Sequence, residues 1–226
     1  MLKFKDNPQK LMAALNRFLS NYYGKLQKKK QRDPKEISAW KIPNFLKYFY
    51  SFAEKYSSIV DPQSGLLINK GDNVHHKRLF IGEFLYWRTF TTISTQVAGD
   101  DPPVWISQSK EYESQYVDKL VCNSLSQFIT TFCLEQTVFE SVYCYNFAQI
   151  KAEIKLSDLL SAIARQDYQI DLLWETINFW DIVHDKTLRT QSFYSVEDAI
   201  LICSNDLCGT NYKNANRLLA SILPLR

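Results

Sequence analysis

The stretch AGDDPPVWISQS, residues 98–109, decides how the rest of the chain is interpreted. It holds two adjacent carboxylates, Asp100 and Asp101, followed by two prolines and Trp105. Paired carboxylates perform acid/base catalysis when burial separates their pKa values, whereas adjacent acids beside prolines are typical of a solvated turn. Proline fixes its own φ and drives the preceding residue towards an extended conformation. We therefore expect a turn that leads a buried tryptophan into a β-strand, and no catalytic dyad.

Four short runs are rich in β-branched and aromatic residues, as strands are. Three of them precede this turn, and the fourth begins within it. They are GLLIN (65–69), RLFIGEF (78–84), YWRTFTTIS (86–94) and PVWIS (103–107). NKGDN, between the first two runs, is a turn signal. Successive short strands separated by turn residues predict an antiparallel sheet with at least one face covered by helices.

Three segments of helical spacing provide those helices. The first begins at Asn7 and Pro8 and ends at Gly24, the second begins at Pro43, and the third begins at Ser124 in the capping box SLSQ. The residues on their apolar sides are Leu11, Met12, Leu15, Phe18, Leu19 and Tyr22; Phe45, Leu46, Phe49, Phe52, Ala53 and Tyr56; and Leu125, Phe128, Ile129, Phe132 and Phe139.

The C-terminal third contains apolar residues at both helical and strand spacing. LSDLLSAIAR, around Ser157, predicts a short helix, DYQIDLLWETINFW a strand, and NYKNANRLLASIL a closing helix. SFYSVEDAILICSND predicts a hairpin that turns at Glu197 and Asp198. The predicted fold is α+β: one domain over 1–226, with a mixed, mostly antiparallel sheet packed by helices at the N-terminus, middle and C-terminus. Residues 1–39 form its N-terminal helix and basic connector.

Composition and charge limit the function classes. The chain has 226 residues, 46% of them hydrophobic, without a secretory signal or an apolar run that could span a membrane, so we expect a cytoplasmic protein. Residues 1–35 contain ten basic and two acidic residues, which leaves 17 basic and 22 acidic residues in a mildly acidic body. The run from Lys25 to Lys35 could bind nucleic acid, but a solvated connector is the better interpretation, because the aromatic residues follow the core pattern.

The motifs of common catalytic and cofactor sites are absent from the sequence. The six glycines are too dispersed for a phosphate-binding loop, and GxSxG does not occur. His75 and His76 lie in a polar turn and lack a metal-ligand spacing with His184. The five cysteines form no CxxC and are interpreted as small buried residues. We expect no catalytic residue, no cofactor and no metal.

The order of five segments resembles the SUKH superfamily. These segments are IPNFLKYFYSFAEKY, GLLI, RLFIGEFLYWRTF, GDDPPVWIS and VCNSLSQFITTFCLEQTVFES, which together span about residues 40–141. The superfamily includes fungal cell-wall assembly regulators and bacterial immunity proteins that protect a cell from polymorphic toxins. The chain departs from the family pattern after RLFIGEF, where the usual asparagine-glutamine-glycine-like turn is absent and YWRTF replaces a Trp-Gly pair.

The resemblance implies an α+β fold and a non-catalytic role in binding a partner. The residues that match the family pattern as fold determinants are Pro43, Phe49, Glu83, Asp101, Pro102, Trp105, Leu125 and Phe128. The implied function is that of an immunity protein that binds and neutralises a cognate toxin. The implied partner is a secreted or contact-dependent toxin domain of basic, nuclease type. Acidic residues would steer the encounter and aromatic residues would anchor the complex. The candidate partner-binding residues are Asp72, Glu83, Asp100, Asp101 and Trp105.

Two alternatives stay open at this point. One is a regulatory or scaffolding interaction on the same fold, and the other is nucleic-acid binding through the basic N-terminal segment, where Lys28, Lys29, Lys30 and Arg32 would be the contacts. The sequence leaves the partner, the binding face and the oligomeric state open.

Overall fold

The structure, a computed structural model, belongs to the α+β class, as predicted. It describes residues 7–23, 32–53, 66, 70–71, 74–75, 77–84, 89–94, 99–109, 116–139, 144–146, 161, 169–196, 199–203 and 207–210. The described strands form two five-stranded sheets, where the sequence predicted one sheet, and their pairings are all antiparallel.

The chain divides into two compact units. The N-terminal unit comprises Lys5–Thr130 and Ile182–His184, and the C-terminal unit comprises Met1–Phe4, Thr131–Asp181 and Asp185–Arg226. The prediction of one domain over the whole chain stays a prediction, and each unit is described by itself below.

Helix α1 (Pro8–Tyr23) begins where the sequence predicted. The Asn7 side chain caps it, since its Oδ1 atom accepts hydrogen bonds from the backbone N–H groups of Gln9 at 3.1 Å and Lys10 at 3.2 Å. The first five predicted apolar residues are buried, namely Leu11, Met12, Leu15, Phe18 and Leu19. The predicted amphipathic helix is therefore confirmed.

Two further helices follow in the N-terminal unit. Helix α3 (Asn44–Ala53) confirms the helix predicted from Pro43, and its apolar side is buried. Helix α2 (Pro34–Ser38) was not predicted, because the basic run around it was interpreted as a solvated connector. Asp33 caps α2 by accepting a hydrogen bond from the backbone N–H of Lys35 at 2.9 Å. The remainder of the basic run, 24–31, lies outside the described residues.

The first sheet lies in the N-terminal unit and its strands are adjacent in chain order. They are β1 (Val74–His75), β2 (Arg78–Phe84), β3 (Thr89–Ser94), β4 (Val104–Ser109) and β5 (Tyr116–Cys122). Strands β2, β3 and β4 confirm three predicted runs, whereas β5 was not predicted. In the GLLIN run only Leu66 is described, where it forms an isolated bridge with Gly82.

One face of this sheet contributes to the core of the unit. Its buried apolar residues alternate along the strands with residues of higher exposure, as expected for side chains of period two. They are Leu79, Ile81, Ile93, Val104, Ile106 and Val121.

Helix α4 (Leu125–Phe139) confirms the helix predicted from Ser124. Leu125, Phe128, Ile129 and Phe132 are buried, while the side chain of Phe139 lies outside the description. The division between the two units falls within this helix, between Thr130 and Thr131.

The second sheet lies in the C-terminal unit, with the strand order β6-β10-β9-β8-β7. Its strands are β6 (Cys144–Asn146), β7 (Ile170–Ile177), β8 (Thr190–Val196), β9 (Ala199–Cys203) and β10 (Leu207–Thr210). The predicted strand at β7 and the predicted β8–β9 hairpin, in which Val196 pairs with Ala199, are confirmed. A short helix after β7, α5 (Phe179–Val183), was not predicted, and the prediction that the strand continues through Phe179 and Trp180 is wrong.

Several sequence predictions fall on residues outside the description. These are the closing helix at 211–223, the turn at Glu197 and Asp198, and all of the helix around Ser157 except Ser161, which is helical. Cys133 and Cys203 are buried thiols, as predicted, whereas Cys122 is only partly buried.

Candidate functional site

The turn at 100–103 joins the start of β4 to the start of α4. The Asp101 carboxylate accepts three hydrogen bonds there: from the Ser126 backbone N–H at 2.6 Å and from the Ser124 and Ser126 hydroxyls at 2.7 Å each. The Pro102 carbonyl accepts a fourth bond of this junction, from the Leu125 backbone N–H at 2.9 Å. Asp101 therefore satisfies the Ser126 N–H, one of the backbone donors that the first turn of a helix leaves exposed, and its charge suits the positive end of the helix dipole.

Ser124 performs only part of the role that the capping box predicts. Its hydroxyl oxygen accepts a hydrogen bond from the Gln127 backbone N–H at 3.3 Å, as an N-cap residue does. The Gln127 side-chain oxygen lies 3.9 Å from the Cys122 sulfur, at the end of β5, and accepts from that thiol. Burial raises the pKa of the Cys122 thiol, so this sulfur is a protonated donor and a poor nucleophile.

Asp100 is exposed, as expected for a solvated turn. Its carboxylate accepts a long hydrogen bond of 3.4 Å from the backbone N–H of Asn44, the first residue of α3. The two acids of the turn thus contact the beginnings of two different helices. Their contacts explain the pair as a fold determinant.

Trp105 was expected in the core, and that prediction is wrong. Its neighbours Val104 and Ile106 are 0% and 1% exposed, whereas Trp105 is only partly buried, on the opposite face of β4. The turn does lead into a strand as predicted. The orientation of the tryptophan differs because β-strand side chains alternate, so the two small aliphatic residues fill the core and the indole faces away from it.

Arg78, at the start of β2, covers the Trp105 ring. Its guanidinium carbon lies 4.4 Å from the ring centroid, a distance at which the cation is attracted to the face of an indole. Arg78 is itself only partly exposed. The pair is thus a stacked cation and indole at the boundary between protein and solvent.

The strand register extends this pair into a row across the sheet. Phe80 pairs with Thr92, Thr92 with Trp105, and Trp105 with Leu120, so these four positions share one face. Phe80 is partly buried and Leu120 is 41% exposed. We call the described side chains of this surface, those of Arg78, Phe80, Trp105 and Leu120, the Trp105 face.

The Trp105 face combines residue types that are common at protein-binding surfaces. Tryptophan and arginine are the residues most often found at energetic hot spots of interfaces, with surrounding apolar contacts that exclude water. Rings and a guanidinium held by neighbouring strands lose little conformational freedom when a partner binds. The arrangement can therefore anchor a partner without any chemical step.

Of the five predicted partner-binding residues, the structure brings Trp105 into this face. Asp100 and Asp101 lie in the turn before it, and Glu83 lies in β2, where it pairs with Phe90. The side chain of Glu83 and the whole of Asp72 lie outside the described residues.

Sequence reasoning did not identify the other three residues of the face, Arg78, Phe80 and Leu120. A signal was present for two of them, because RLFIGEF alternates Arg78 and Phe80 with the buried Leu79 and Ile81. No comparable signal pointed to Leu120, since its strand was not predicted.

The described end of the basic connector forms a cluster around Trp40. The Arg32 guanidinium carbon and the Lys70 ammonium nitrogen lie 5.5 and 5.7 Å from its ring centroid. Both cations also approach the Glu36 carboxylate, Lys70 at 3.3 Å and Arg32 at 3.9 Å. Lys47, on α3, donates to the Ser38 carbonyl at 2.9 Å. These cations are engaged within the chain.

An ion pair between a buried carboxylate and a partly exposed arginine lies in the C-terminal unit. Asp181 is 0% exposed and accepts two bonds from the Arg189 guanidinium, at 2.6 and 2.9 Å, and one from the Arg189 backbone N–H at 3.1 Å. These bonds hold the pKa of the Asp181 carboxyl below its usual value. The pair closes the loop between α5 and β8, and we interpret it as structural.

Among the described residues, no group of three or more histidine, cysteine, aspartate or glutamate side chains is arranged to hold a metal ion. Within the same part of the chain, none of the helices combines the length and the apolar character that a membrane crossing requires.

Comparisons of the chain with protein-family models, with curated proteins and with solved structures find no match.

Proposed function

We propose that this protein is a non-catalytic protein-binding domain of the immunity type, which binds and neutralises a cognate toxin through the Trp105 face. The observation that carries the proposal is the row itself: Trp105 beneath Arg78, with Phe80 and Leu120 on the same face of one sheet. A partly exposed stacked pair flanked by apolar side chains is a ready anchor for another protein.

The order of sequence segments supports the immunity type. The five segments that resemble the SUKH superfamily span about residues 40–141, which include the DDPP turn, β4 and the beginning of α4. In the structure, Asp101 of this pattern caps α4, so the resemblance rests on residues that determine the fold. The resemblance supports the proposed class of protein, and the Trp105 face supports the proposed position of the binding surface.

The net charge of the body of the chain favours a basic partner. Residues 36–226 contain 17 basic and 22 acidic residues, and the exposed Asp100 precedes Trp105 by five residues in the sequence. A nuclease-type toxin carries positive charge to hold phosphates, so a mildly acidic inhibitor attracts it at long range. The mechanism is then steric: the inhibitor covers the toxin's active site or an adjacent surface, and the compartment is the cytoplasm in which such a toxin acts.

A co-expression experiment tests the proposal. Each protein encoded beside this chain is expressed in a sensitive host together with wild-type chain, with Leu120→Ala or with Leu172→Ala. Leu120 and Leu172 are matched, since both are strand leucines and are 41% and 50% exposed, but only Leu120 lies on the Trp105 face. Protection should be weaker with Leu120→Ala than with Leu172→Ala, which should match the wild type. Equal protection by both variants would place the binding surface elsewhere, and no protection by the wild type would contradict the immunity role.

A regulatory or scaffolding role would use the same face, and the partner distinguishes it. A stable complex with a host protein that is not a toxin would support this second role. Nucleic-acid binding has less support, because Arg32, the predicted contact that lies among the described residues, already approaches the Trp40 ring and the Glu36 carboxylate.

A further inference from the structure

A carboxyl group is buried in the middle of α4, in the C-terminal unit. Glu135 is 2% exposed, and so is Gln191, on β8, whose side-chain amide donates a hydrogen bond to the Glu135 carboxyl. One helical turn earlier, the Thr131 hydroxyl accepts a hydrogen bond of 3.0 Å from the Trp174 indole N–H, on β7. Both strands thus contact the same side of the helix.

The polar atoms of this pair are incompletely satisfied. Glu135 Oε1 and Gln191 Oε1 are buried, and neither has a hydrogen-bond partner in the structure described. Both atoms are acceptors when the carboxyl is ionised, so neither can satisfy the other. Buried polar atoms without partners are rare in native proteins and require an explanation.

One proton supplies the missing donor for both atoms. A neutral carboxylic acid has one O–H group, and a carboxamide oxygen accepts from it, while the amide N–H donates to the other carboxyl oxygen. We propose that Glu135 carries its proton in the folded chain and forms two parallel hydrogen bonds with Gln191. The Gln191 amide N–H donates to one carboxyl oxygen, and the Glu135 O–H donates to the Gln191 side-chain oxygen.

The surroundings of Glu135 favour the neutral acid. Burial raises the pKa of Glu135 to about 8, although the hydrogen bond from Gln191 lowers it in part. On α4 and the strands β7, β8 and β9 the other described titratable side chains are all acids, thiols or a phenol, so no cation among them would hold a carboxylate. They are Cys133, Asp171, Glu175, Tyr194 and Cys203.

The proposal makes the stability of the folded chain depend on pH. The folded pKa of Glu135 is raised above its unfolded value, so between the two values the folded chain binds one more proton than the unfolded chain. The stability from this group is complete below the unfolded pKa and is lost as pH rises through the folded pKa near 8. Within that window one extra bound proton changes the folded-to-unfolded ratio by about tenfold per pH unit.

Urea unfolding of the full chain between pH 5.5 and 8.5 tests this, with Glu135→Gln as the variant and Glu175→Gln as its control. Glutamine has the shape of the protonated acid and cannot ionise, so Glu135→Gln should remove the tenfold-per-unit decline that wild type shows. Glu175 is exposed on β7, and its variant should keep the wild-type decline. An unchanged decline in Glu135→Gln would overturn the proposal.

Infrared spectroscopy of unmodified chain labelled with ¹³C-glutamate provides a second test that needs no variant to fold. A protonated carboxyl band at pH 7 should be present and should disappear as pH rises above 8, because exposed glutamates are ionised throughout that range. Only carboxylate bands at pH 7 would overturn the proposal.

Discussion

The turn at 100–103 and the Trp105 face follow one another directly in sequence but use their residues in opposite ways. In the turn, the Asp101 carboxylate is occupied by three donors at the start of α4. On the face, Trp105 lies beneath Arg78 on a partly exposed surface. The two acids that suggest catalysis in the sequence stabilise the fold, whereas the aromatic residue expected in the core lies partly exposed on the opposite face of β4.

The largest effect should come from Asp101→Ala, which tests whether the turn is structural. Hydrogen bonds to a charged acceptor contribute about 1.5–3 kcal/mol each, and the caps that they form are not fully additive. We expect a loss of about 3 kcal/mol in the free energy of unfolding, measured by urea denaturation. A loss below about 1 kcal/mol would show that Asp101 does not hold the start of α4.

Trp105→Ala should separate binding from folding. A buried aromatic anchor contributes about 2 kcal/mol or more to an interface, which corresponds to a loss of about 30-fold in affinity for the purified partner by calorimetry. The free energy of unfolding should fall by only about 1 kcal/mol, since the side chain is partly exposed in the free protein. A larger loss in the free energy of unfolding than in the free energy of binding would mean that Trp105 is mainly a core residue.

Arg78→Lys should have an intermediate effect, because it keeps the charge and removes the planar group that stacks on the indole. A cation–π contact at a partly exposed site contributes about 1 kcal/mol, and the lysine ammonium keeps part of it, so we expect a decrease of less than about 1 kcal/mol in the free energy of unfolding together with a change in tryptophan fluorescence. Trp105→Ala/Arg78→Lys should then be no less stable than Trp105→Ala. Additive losses in this double-mutant cycle would contradict the stacked pair.

Asp100→Asn should have the smallest effect on stability. The carboxylate is exposed and its one described bond, to the Asn44 N–H, is 3.4 Å long, so the free energy of unfolding should change by less than about 0.5 kcal/mol. The variant is therefore the control for Asp101→Ala in the same denaturation experiment. A loss equal to that of Asp101→Ala would mean that the two acids act as one structural unit.

Much of the fold could be predicted from local pattern. Strands β2 and β4 and the hairpin of β8 with β9 have clear apolar and β-branched runs, and α1 has both a cap and a regular apolar side. Strand β5 was missed because YVDKLVC carries Asp118 and Lys119 in its centre. Helices α2 and α5 were missed because each has only five residues, too few to show a period.

The site could be predicted only in part. Trp105 was recognised as a candidate, but its direction depends on strand register, and a shift of one residue exchanges the two faces. The contact with Arg78 crosses two strand pairings, which no local pattern encodes. Glu135 stands in the apolar run FCLEQTVF, and its partner Gln191 follows 56 residues later, so its environment became visible only in the structure.

The most direct measurement is a pull-down from the source cells with three tagged baits, wild type, Trp105→Ala and Asp100→Asn, each washed at low and at high salt. Bound proteins and nucleic acid are both identified. We predict a basic, toxin-like protein that stays on the wild-type and Asp100→Asn baits at high salt and is absent from the Trp105→Ala bait. Retention of the same protein by Trp105→Ala, or recovery of nothing but nucleic acid that leaves with salt, would contradict binding through the Trp105 face.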